Sequence, residues 1–227
     1  MKKGALIVID GADGSGKATQ TKMLVDRLRA DGAEVETMDF PQYTQNLCGK
    51  LLRECLDGKR GDFMKVDARV ASVLYAADRF ESSATIKGWL AEGKTVILDR
   101  YVSANMMHQG AKIDNPQELE NFLVWLDELE HGVFGIARPD LIIYLDVPLE
   151  ERIRMVQEAV ANKELNKGET LDVAEADLVH QRAAQERAKH IVQSKNNWCQ
   201  IVCTTEGAMR SREDIHDEIH ACIIQNT

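Results

Sequence analysis

The residues with the clearest chemistry form a glycine-rich loop near the start of the chain. The loop has the spacing G-x-x-x-x-G-K, and its residues are Gly11, Ala12, Asp13, Gly14, Ser15, Gly16 and Lys17. An apolar run precedes it and a stretch with helical spacing follows it, which is the strand–loop–helix context that this motif requires. Backbone N–H groups and the helix start can face phosphates there, while the lysine neutralises β- and γ-oxygens. The loop therefore predicts binding of ATP as a phosphoryl donor.

One position of the loop departs from the usual motif. Ala18 stands where a serine or threonine normally contacts Mg²⁺, although Thr19 follows immediately. We therefore expect residues 11–19 to bind the donor nucleotide and other groups to hold the metal ion.

A polar pair, Asp99-Arg100, follows the apolar run at residues 96–98. Open parallel sheets bind ligands at the carboxyl ends of their strands, so this pair is expected beside the glycine-rich loop. The carboxylate can serve a metal ion and the guanidinium a phosphate. The alternative interpretation is a salt bridge at the end of a strand.

Tyr75 and Arg79 lie four residues apart on a helix predicted at about residues 67–92. Side chains at this spacing share one face of a helix and can reach one ligand together. The alternative interpretation is a core aromatic residue beside a surface arginine.

The elements that must position these residues alternate between strands and helices. Apolar runs predict strands at residues 6–9, 96–98, 141–145 and 198–202, and a fifth strand is predicted at residues 34–40. This pattern predicts an α/β fold: a doubly wound domain with about five parallel strands flanked by helices. A second long helix is predicted at about residues 174–193. The polar interval at about residues 162–172 predicts a small mobile lid.

Composition limits the function further. The 227 residues carry a formal net charge of -9, which disfavours binding of nucleic acid or anionic membranes. One domain over residues 1–227 is expected. The N-terminal apolar run is too short for a secretory signal or a membrane span, so a cytoplasmic location is expected. The five cysteines show no C-x-x-C spacing, and all five are expected to be reduced.

Several motifs follow the glycine-rich loop in a characteristic order across most of the chain. They are Phe40-Pro41-Gln42-Tyr43, Tyr75-Ala76-Ala77-Asp78-Arg79-Phe80-Glu81, Asp99-Arg100-Tyr101, His108-Gln109-Gly110-Ala111-Lys112, Pro139-Asp140-Leu141 and Leu171-Asp172-Val173-Ala174-Glu175. In this set and order the sequence resembles the thymidylate kinase family of P-loop nucleoside monophosphate kinases. The resemblance implies transfer of the γ-phosphoryl group of ATP to dTMP for dTTP synthesis, with Mg²⁺ as cofactor, in a homodimer.

The resemblance also implies roles for single residues. Asp99 would help to hold Mg²⁺, Arg100 would grip the phosphate of dTMP, and Tyr75 would stack on thymine. Arg79 would contact the base edge or the phosphate, and Asn105 would read the base. The remaining implied acceptor-site residues are Asp13 near the sugar, Phe40, Pro41, Tyr43, His108 as a sugar-side contact, and Gln109 as a second reader of the base.

The glycine-rich loop contains no arginine, whereas some members of the resembling family have a catalytic arginine there. Lys163 and Lys167 are the basic residues of the predicted lid, so one of them is expected to meet the donor phosphates as a catalytic residue. Arg152 and Arg154 are alternatives, although their run also looks like a solvated helix face.

Two other functions stay open from the sequence. Tyr43 and His108 stand where many relatives have arginine and tyrosine, which leaves room for another nucleoside monophosphate or several pyrimidine nucleotides as acceptor. Ala18 and the arginine-free loop would also suit a nucleotide-binding regulator without phosphoryl transfer. An acceptor panel separates the three possibilities.

Overall fold

Five parallel strands form the central sheet of the computed structural model, which describes residues 4–161 and 177–226. In chain order the strands are β1 (Ala5–Gly11), β2 (Val35–Asp39), β3 (Thr95–Asp99), β4 (Leu141–Asp146) and β5 (Trp198–Val202). Four of them coincide with the predicted apolar runs, and β2 lies within the fifth strand predicted at residues 34–40. The predicted doubly wound α/β fold is therefore confirmed.

The order of the strands explains where a ligand can bind. Across the sheet it is β2-β3-β1-β4-β5, so the chain crosses from one half of the sheet to the other between β3 and β4. A crevice forms outside the carboxyl ends of the strands at such a crossing. Ile9 of β1 pairs with Asp99 of β3, which places the glycine-rich loop and the Asp99-Arg100 pair at the same edge.

Helices cover both faces of the sheet. In the described part of the chain they are α1 (Lys17–Ala30), α2 (Leu47–Leu56), α3 (Ala68–Ala91), α4 (Val102–His108), α5 (Pro116–Asp127), α6 (Leu149–Ala161), α7 (Leu178–Ser194) and α8 (Arg212–Asn226). A π-helical segment, Glu128–Val133, follows α5. The predicted lid at residues 162–172, with Lys163 and Lys167, lies outside the described residues.

The continuous apolar character of the strands has a simple cause. Side chains alternate between the two faces of a strand, and here both faces are covered by helices. Leu6 and Val8 of β1 pack into one hydrophobic core, whereas Ile7 and Ile9 pack into the core on the opposite face. All four are buried. The central strand therefore has no polar face.

The structure corrects the expectation for the cysteines. Cys199 on β5 and Cys222 on α8 form a disulfide across 23 residues of sequence, so the prediction of five reduced cysteines is wrong for this pair. Cys48, Cys55 and Cys203 are free. Among the helices within residues 4–161 and 177–226, none is long and apolar enough to cross a membrane.

Candidate active site

The glycine-rich loop connects the end of β1 to the start of α1. Gly14 and Gly16 adopt φ values of 74° and 85°, a left-handed region that glycine enters without steric cost. The Ser15 backbone N–H donates to the carbonyl of Ala12 at 3.2 Å, and α1 begins at Lys17. The loop therefore turns the chain so that the helix N-terminus can face a bound anion.

Lys17 supplies a cation inside this loop. Its side chain is buried, and its ammonium donates to the Ala12 carbonyl at 3.0 Å. Burial and the neighbouring Arg100 lower the pKa of Lys17, while the carboxylate of Asp13 opposes them. The hydroxyl of Ser15 is buried as well and has no hydrogen-bond partner among the described residues. The loop thus presents a cation and an unused hydroxyl.

Arg100 connects the loop to the end of β3. Its backbone has a φ of 66°, which is rare outside glycine and is often found at functional sites. Its guanidinium forms an ion pair with Asp13, and its Nη1 lies 3.3 Å from His108 Nε2. Burial alone would raise the pKa of Asp13, but Arg100 and Lys17 hold it far below its ordinary value. The strand-end salt bridge is therefore present, with Asp13 as the partner.

Two aspartates lie at the carboxyl ends of β1 and β3. Asp10 is buried and accepts hydrogen bonds from the Gly11 N–H at 2.8 Å and from the Ser103 hydroxyl. Burial raises the pKa of Asp99, and the charge of Lys17 opposes this shift. Within the described ranges, no group of three acidic, histidine or cysteine side chains could hold a metal ion alone. A half-buried Asp99 fits Mg²⁺ shared between one carboxylate and substrate phosphates.

A cavity of about 190 Å³ opens beside the loop. It brings together every residue that the sequence places at the acceptor: Asp13, Phe40, Pro41, Tyr43, Tyr75, Arg79, Arg100, Asn105, His108 and Gln109. The structure adds residues that sequence reasoning missed: Leu56, Phe63, Met64, Tyr101, Ala104, Lys112 and His180. Its combination of apolar walls with a few polar groups is typical of a small-molecule site.

Aromatic side chains form the walls of this cavity. The ring of Tyr75 lies 6.1 Å from that of Phe63, and the ring of Phe40 lies 5.8 Å from that of Tyr101. Such tilted pairs hold each other in place and leave a flat apolar face for a ligand. The walls are therefore suited to a stacked heterocycle.

Glu130 lies behind the cavity and holds two of its polar residues. It is fully buried, it accepts a hydrogen bond from Arg79 Nε at 2.8 Å, and it pairs with a second nitrogen of the same guanidinium. Asn105 Nδ2 lies 3.3 Å from the same carboxylate. Glu130 and its hydrogen bond raise the pKa of Arg79 against the opposing effect of burial. The surface location considered for Arg79 is wrong, because its side chain is buried.

Gln109 and His108 complete the cavity on the side of α4. Gln109 is buried, and its Oε1 has no hydrogen-bond partner in the described part of the chain. The ring of His108 stacks on that of His180 with centroids 5.7 Å apart. Burial, together with Arg100, lowers the pKa of His108 to about 3, so this ring is neutral near pH 7. This side of the cavity thus offers one hydrogen-bond acceptor without a partner in the described part of the chain, Gln109 Oε1, and one neutral imidazole ring, His108.

Glu130 carries no sequence signal that could have identified it. It lies in an acidic run, Asp127-Glu128-Leu129-Glu130, that is typical of a solvated helix face. The π-helical segment rotates this residue into the core. His180 is missed for a different reason: it lies 72 residues after His108, and only the packing of α7 on α4 brings the two rings together.

Comparisons with known proteins agree on one family. A model described as Thymidylate kinase matches residues 9–219. Human thymidylate kinase is 35% identical over 150 residues, which are 66% of this chain and 64% of the human protein, so the chain aligns with slightly less than two-thirds of that relative. A probable thymidylate kinase from Thermococcus onnurineus is 32% identical over 223 residues, with 96% of each chain covered.

A solved structure has the same fold. Thymidylate kinase from Candida albicans superposes with a TM-score of 0.74 at 24% identity, and the match covers 99% of this chain and 92% of that one. At this identity the likeness shows the fold alone.

Proposed function

The chain belongs to the thymidylate kinase family, and we propose that it transfers the γ-phosphoryl group of ATP to dTMP, giving ADP and dTDP for dTTP synthesis. The observation that carries this proposal is the cavity beside the glycine-rich loop, which gathers all ten residues expected at the acceptor. Donor and acceptor sites therefore adjoin at one edge of the sheet. In-line transfer of a phosphoryl group requires this arrangement.

The donor side binds the phosphates of ATP. The N–H groups of residues 11–19 and the ammonium of Lys17 face the triphosphate, as the strand–loop–helix geometry favours. Asp99 is the carboxylate that would hold Mg²⁺ together with phosphate oxygens. When bound, that ion neutralises charge that develops on the phosphate oxygens during transfer.

The acceptor side binds dTMP through its phosphate and its base. Arg100, oriented by Asp13, grips the phosphate, and Tyr75 stacks on thymine. Oε1 of Gln109 accepts a hydrogen bond from thymine N3–H, which would satisfy a buried acceptor that lacks a partner in the described part of the chain. Cytosine has no hydrogen at N3, so this contact also discriminates between the two pyrimidines.

Transfer itself needs little from the protein beyond alignment and charge. An oxygen of the dTMP phosphate forms a bond to the γ-phosphorus, and the bond from that phosphorus to the bridging oxygen breaks, with its electron pair leaving on ADP. The attacking oxygen is already anionic, so no general base is required. Lys17 and Arg100 hold the two phosphate groups in line and remain protonated throughout.

A lid lysine adds charge at the moment of transfer. Lys163 and Lys167 lie outside the described residues, and the proposal for them rests on the absence of arginine between Gly11 and Lys17. Closure of the lid would bring one of them to the donor phosphates and exclude water from the reaction.

A panel of acceptors tests the proposed function. ADP formation from ATP is measured with dTMP, dUMP, dCMP, dGMP, UMP and AMP. We expect dTMP to give the highest kcat/KM, because the chain belongs to the thymidylate kinase family and the Gln109 contact disfavours cytosine. Preference for another acceptor would replace dTMP in the proposal, and nucleotide binding without transfer to any acceptor would favour a regulator. Family membership favours dTMP over both alternatives.

We also propose a cytoplasmic homodimer built from one domain over residues 1–227. Leu47 on α2 and Val70 on α3 expose 78% and 62% of their surface, and Phe80 on α3 exposes 50%. Apolar side chains exposed on neighbouring helices are typical of an interface. Light scattering after size-exclusion chromatography tests this: a mass near the 25.4 kDa of one chain would contradict it.

A further inference from the structure

Arg152 is a buried arginine beside the glycine-rich loop. It lies in the first turns of α6, and only 3% of its surface is exposed. Its Nη1 donates to the backbone carbonyl of Asp13 at 3.1 Å and to Oε1 of Gln181 on α7 at 3.1 Å. One nitrogen of the guanidinium therefore ties α6 to the loop and to α7.

The other two nitrogens of this guanidinium are not used. Nε and Nη2 are buried and have no hydrogen-bond partner among residues 4–161 and 177–226. A buried charged donor without an acceptor is costly, so arginines in this situation are normally paired with an anion. The nearby carboxylate of Asp13 already forms an ion pair with Arg100. Arg152 is therefore a cation that lacks its anion.

The surroundings of Arg152 indicate which anion is missing. The residue contacts the loop that presents its N–H groups to phosphates, and that loop has no arginine between Gly11 and Lys17. Burial lowers the pKa of Arg152, and the carboxylate of Asp13 opposes this shift. A phosphate at the loop would accept hydrogen bonds from Nε and Nη2 in the paired geometry that guanidinium groups favour.

We infer that Arg152 binds the γ-phosphate of ATP through Nε and Nη2 and neutralises it during transfer, as a catalytic residue supplied by α6. The inference rests on the proposed function, because it places ATP at the glycine-rich loop. Arg152 keeps all of its protons, and the bond changes of the transfer are those given above. In this arrangement α6 supplies the guanidinium that the loop itself lacks.

Two substitutions and a matched control test this role. Arg152→Met removes the positive charge and fills much of the volume of the arginine side chain. Arg152→Lys keeps the positive charge but lacks the planar set of donor nitrogens of a guanidinium. We expect kcat to fall about 10²–10³-fold in Arg152→Met, the cost of removing one donor to the transferred group. The loss in Arg152→Lys should be smaller, and KM for dTMP should change little in both. Arg182→Ala, an exposed arginine of α7 paired with Glu150, is the control and should keep its turnover.

Nucleotide affinity separates a contact with the γ-phosphate from a structural role. In Arg152→Met we expect the affinity for ATP to fall at least about tenfold more than the affinity for ADP, because ADP lacks the γ-phosphate. Millimolar ethylguanidinium should restore part of the turnover lost in a third variant, Arg152→Ala, and should leave the turnover of Arg182→Ala unchanged. Equal losses of ATP and ADP affinity, or turnover within threefold of the wild type in a folded Arg152→Met protein, would overturn the inference.

The design also distinguishes failure of this inference from failure of the proposed function. The comparison of ATP with ADP is a binding measurement that needs no acceptor. If the wild type transfers nothing to dTMP but the selective loss of ATP affinity is found, the proposed function fails and the contact stands. If dTMP is phosphorylated normally by both proteins, the contact fails and the proposed function stands.

Discussion

The acceptor and donor sides of the site differ in how their charged groups are satisfied. On the acceptor side, Arg79 is paired with Glu130 and Arg100 is paired with Asp13. On the donor side, two nitrogens of the Arg152 guanidinium have no hydrogen-bond partner within the described ranges. Neutral groups without a partner occur on both sides, the Ser15 hydroxyl on the donor side and Gln109 Oε1 on the acceptor side. Paired cations are oriented before the ligand arrives, whereas unpaired donors gain partners only when it binds. Under the proposed function, the cations of the acceptor side are therefore oriented in advance, and ATP would supply the missing partner of Arg152.

The largest effect is expected from replacing Lys17, on the donor side. Replacing Lys17 with Met should lower kcat/KM by about 10³-fold or more, because its ammonium is buried in the loop and lies where phosphate oxygens would bind. Steady-state kinetics measure this loss. Lys22→Ala is the control on the same helix, since Lys22 is exposed and pairs with Asp26. Turnover of Lys17→Met close to that of Lys22→Ala would remove Lys17 from the mechanism.

A smaller effect is expected from replacing Glu130, which lies behind the acceptor side and pairs with Arg79. Glu130→Gln leaves the buried guanidinium of Arg79 without its countercharge, so the free energy of unfolding should fall by about 3 kcal/mol. KM for dTMP should rise more than KM for ATP, because Arg79 and Asn105 lose their common partner.

Urea unfolding and two-substrate kinetics measure these effects of Glu130→Gln. The control is Glu128→Gln, an exposed residue two positions earlier, which should change stability by less than about 0.5 kcal/mol. Equal rises in KM for both substrates would show that Glu130 supports the fold without orienting the acceptor side.

The lysines of the predicted lid provide a further test of the donor side. Replacing both Lys163 and Lys167 with Ala should lower kcat about tenfold, the effect of losing one of several charges around the transferred phosphate. The single variants identify which lysine acts. Unchanged turnover in both single variants and in the double variant would remove the lid from the catalytic machinery and leave Arg152 as the added cation.

The smallest expected effect is the contribution of His108, on the acceptor side, to the pH dependence of the free energy of unfolding. An unfolded histidine binds a proton below its ordinary pKa of about 6.5, whereas folded His108 stays neutral down to about 3. The folded state binds fewer protons in this window, so its stability falls as the pH falls below about 6.5. The expected loss for His108 at pH 5.5 is about 1 kcal/mol.

Urea unfolding at pH 7.5 and pH 5.5 measures the effect of His108. The difference in stability between the two pH values should be smaller in His108→Asn by about 1 kcal/mol. His180, whose pKa is also lowered by burial, is retained in both proteins. The same pH dependence in both proteins would show that His108 titrates normally in the folded state.

The sequence predicted the parts of the molecule that depend on local pattern. Apolar runs located four of the five strands because both faces of the sheet are covered, and β2 lies within the fifth strand predicted at residues 34–40. The helix predicted at residues 67–92 is α3, Ala68–Ala91. The acceptor residues were found because motif order carries the resemblance. All ten line one cavity, although their individual roles remain predictions.

The features that sequence reasoning missed depend on distant packing. Glu130 was not identified from the sequence, and Arg152 was named only as an alternative to the lid lysines, without its burial. Both lie in charged runs typical of a solvated surface, and tertiary packing buries them. The disulfide joins Cys199 and Cys222, which lie on different elements and show no spacing signal. Burial of a charged side chain is decided by elements far along the chain, so local sequence does not reveal it.

A competition experiment tests whether the cavity beside the glycine-rich loop selects dTMP among the deoxynucleoside monophosphates. The protein is given ATP and equal concentrations of dTMP, dUMP, dCMP and dGMP in one reaction, and the diphosphate products are separated by chromatography at low conversion. We expect dTDP as the main product, with little dCDP because cytosine lacks the N3 hydrogen that Gln109 would bind. A larger amount of any other diphosphate, or no diphosphate other than ADP, would contradict it.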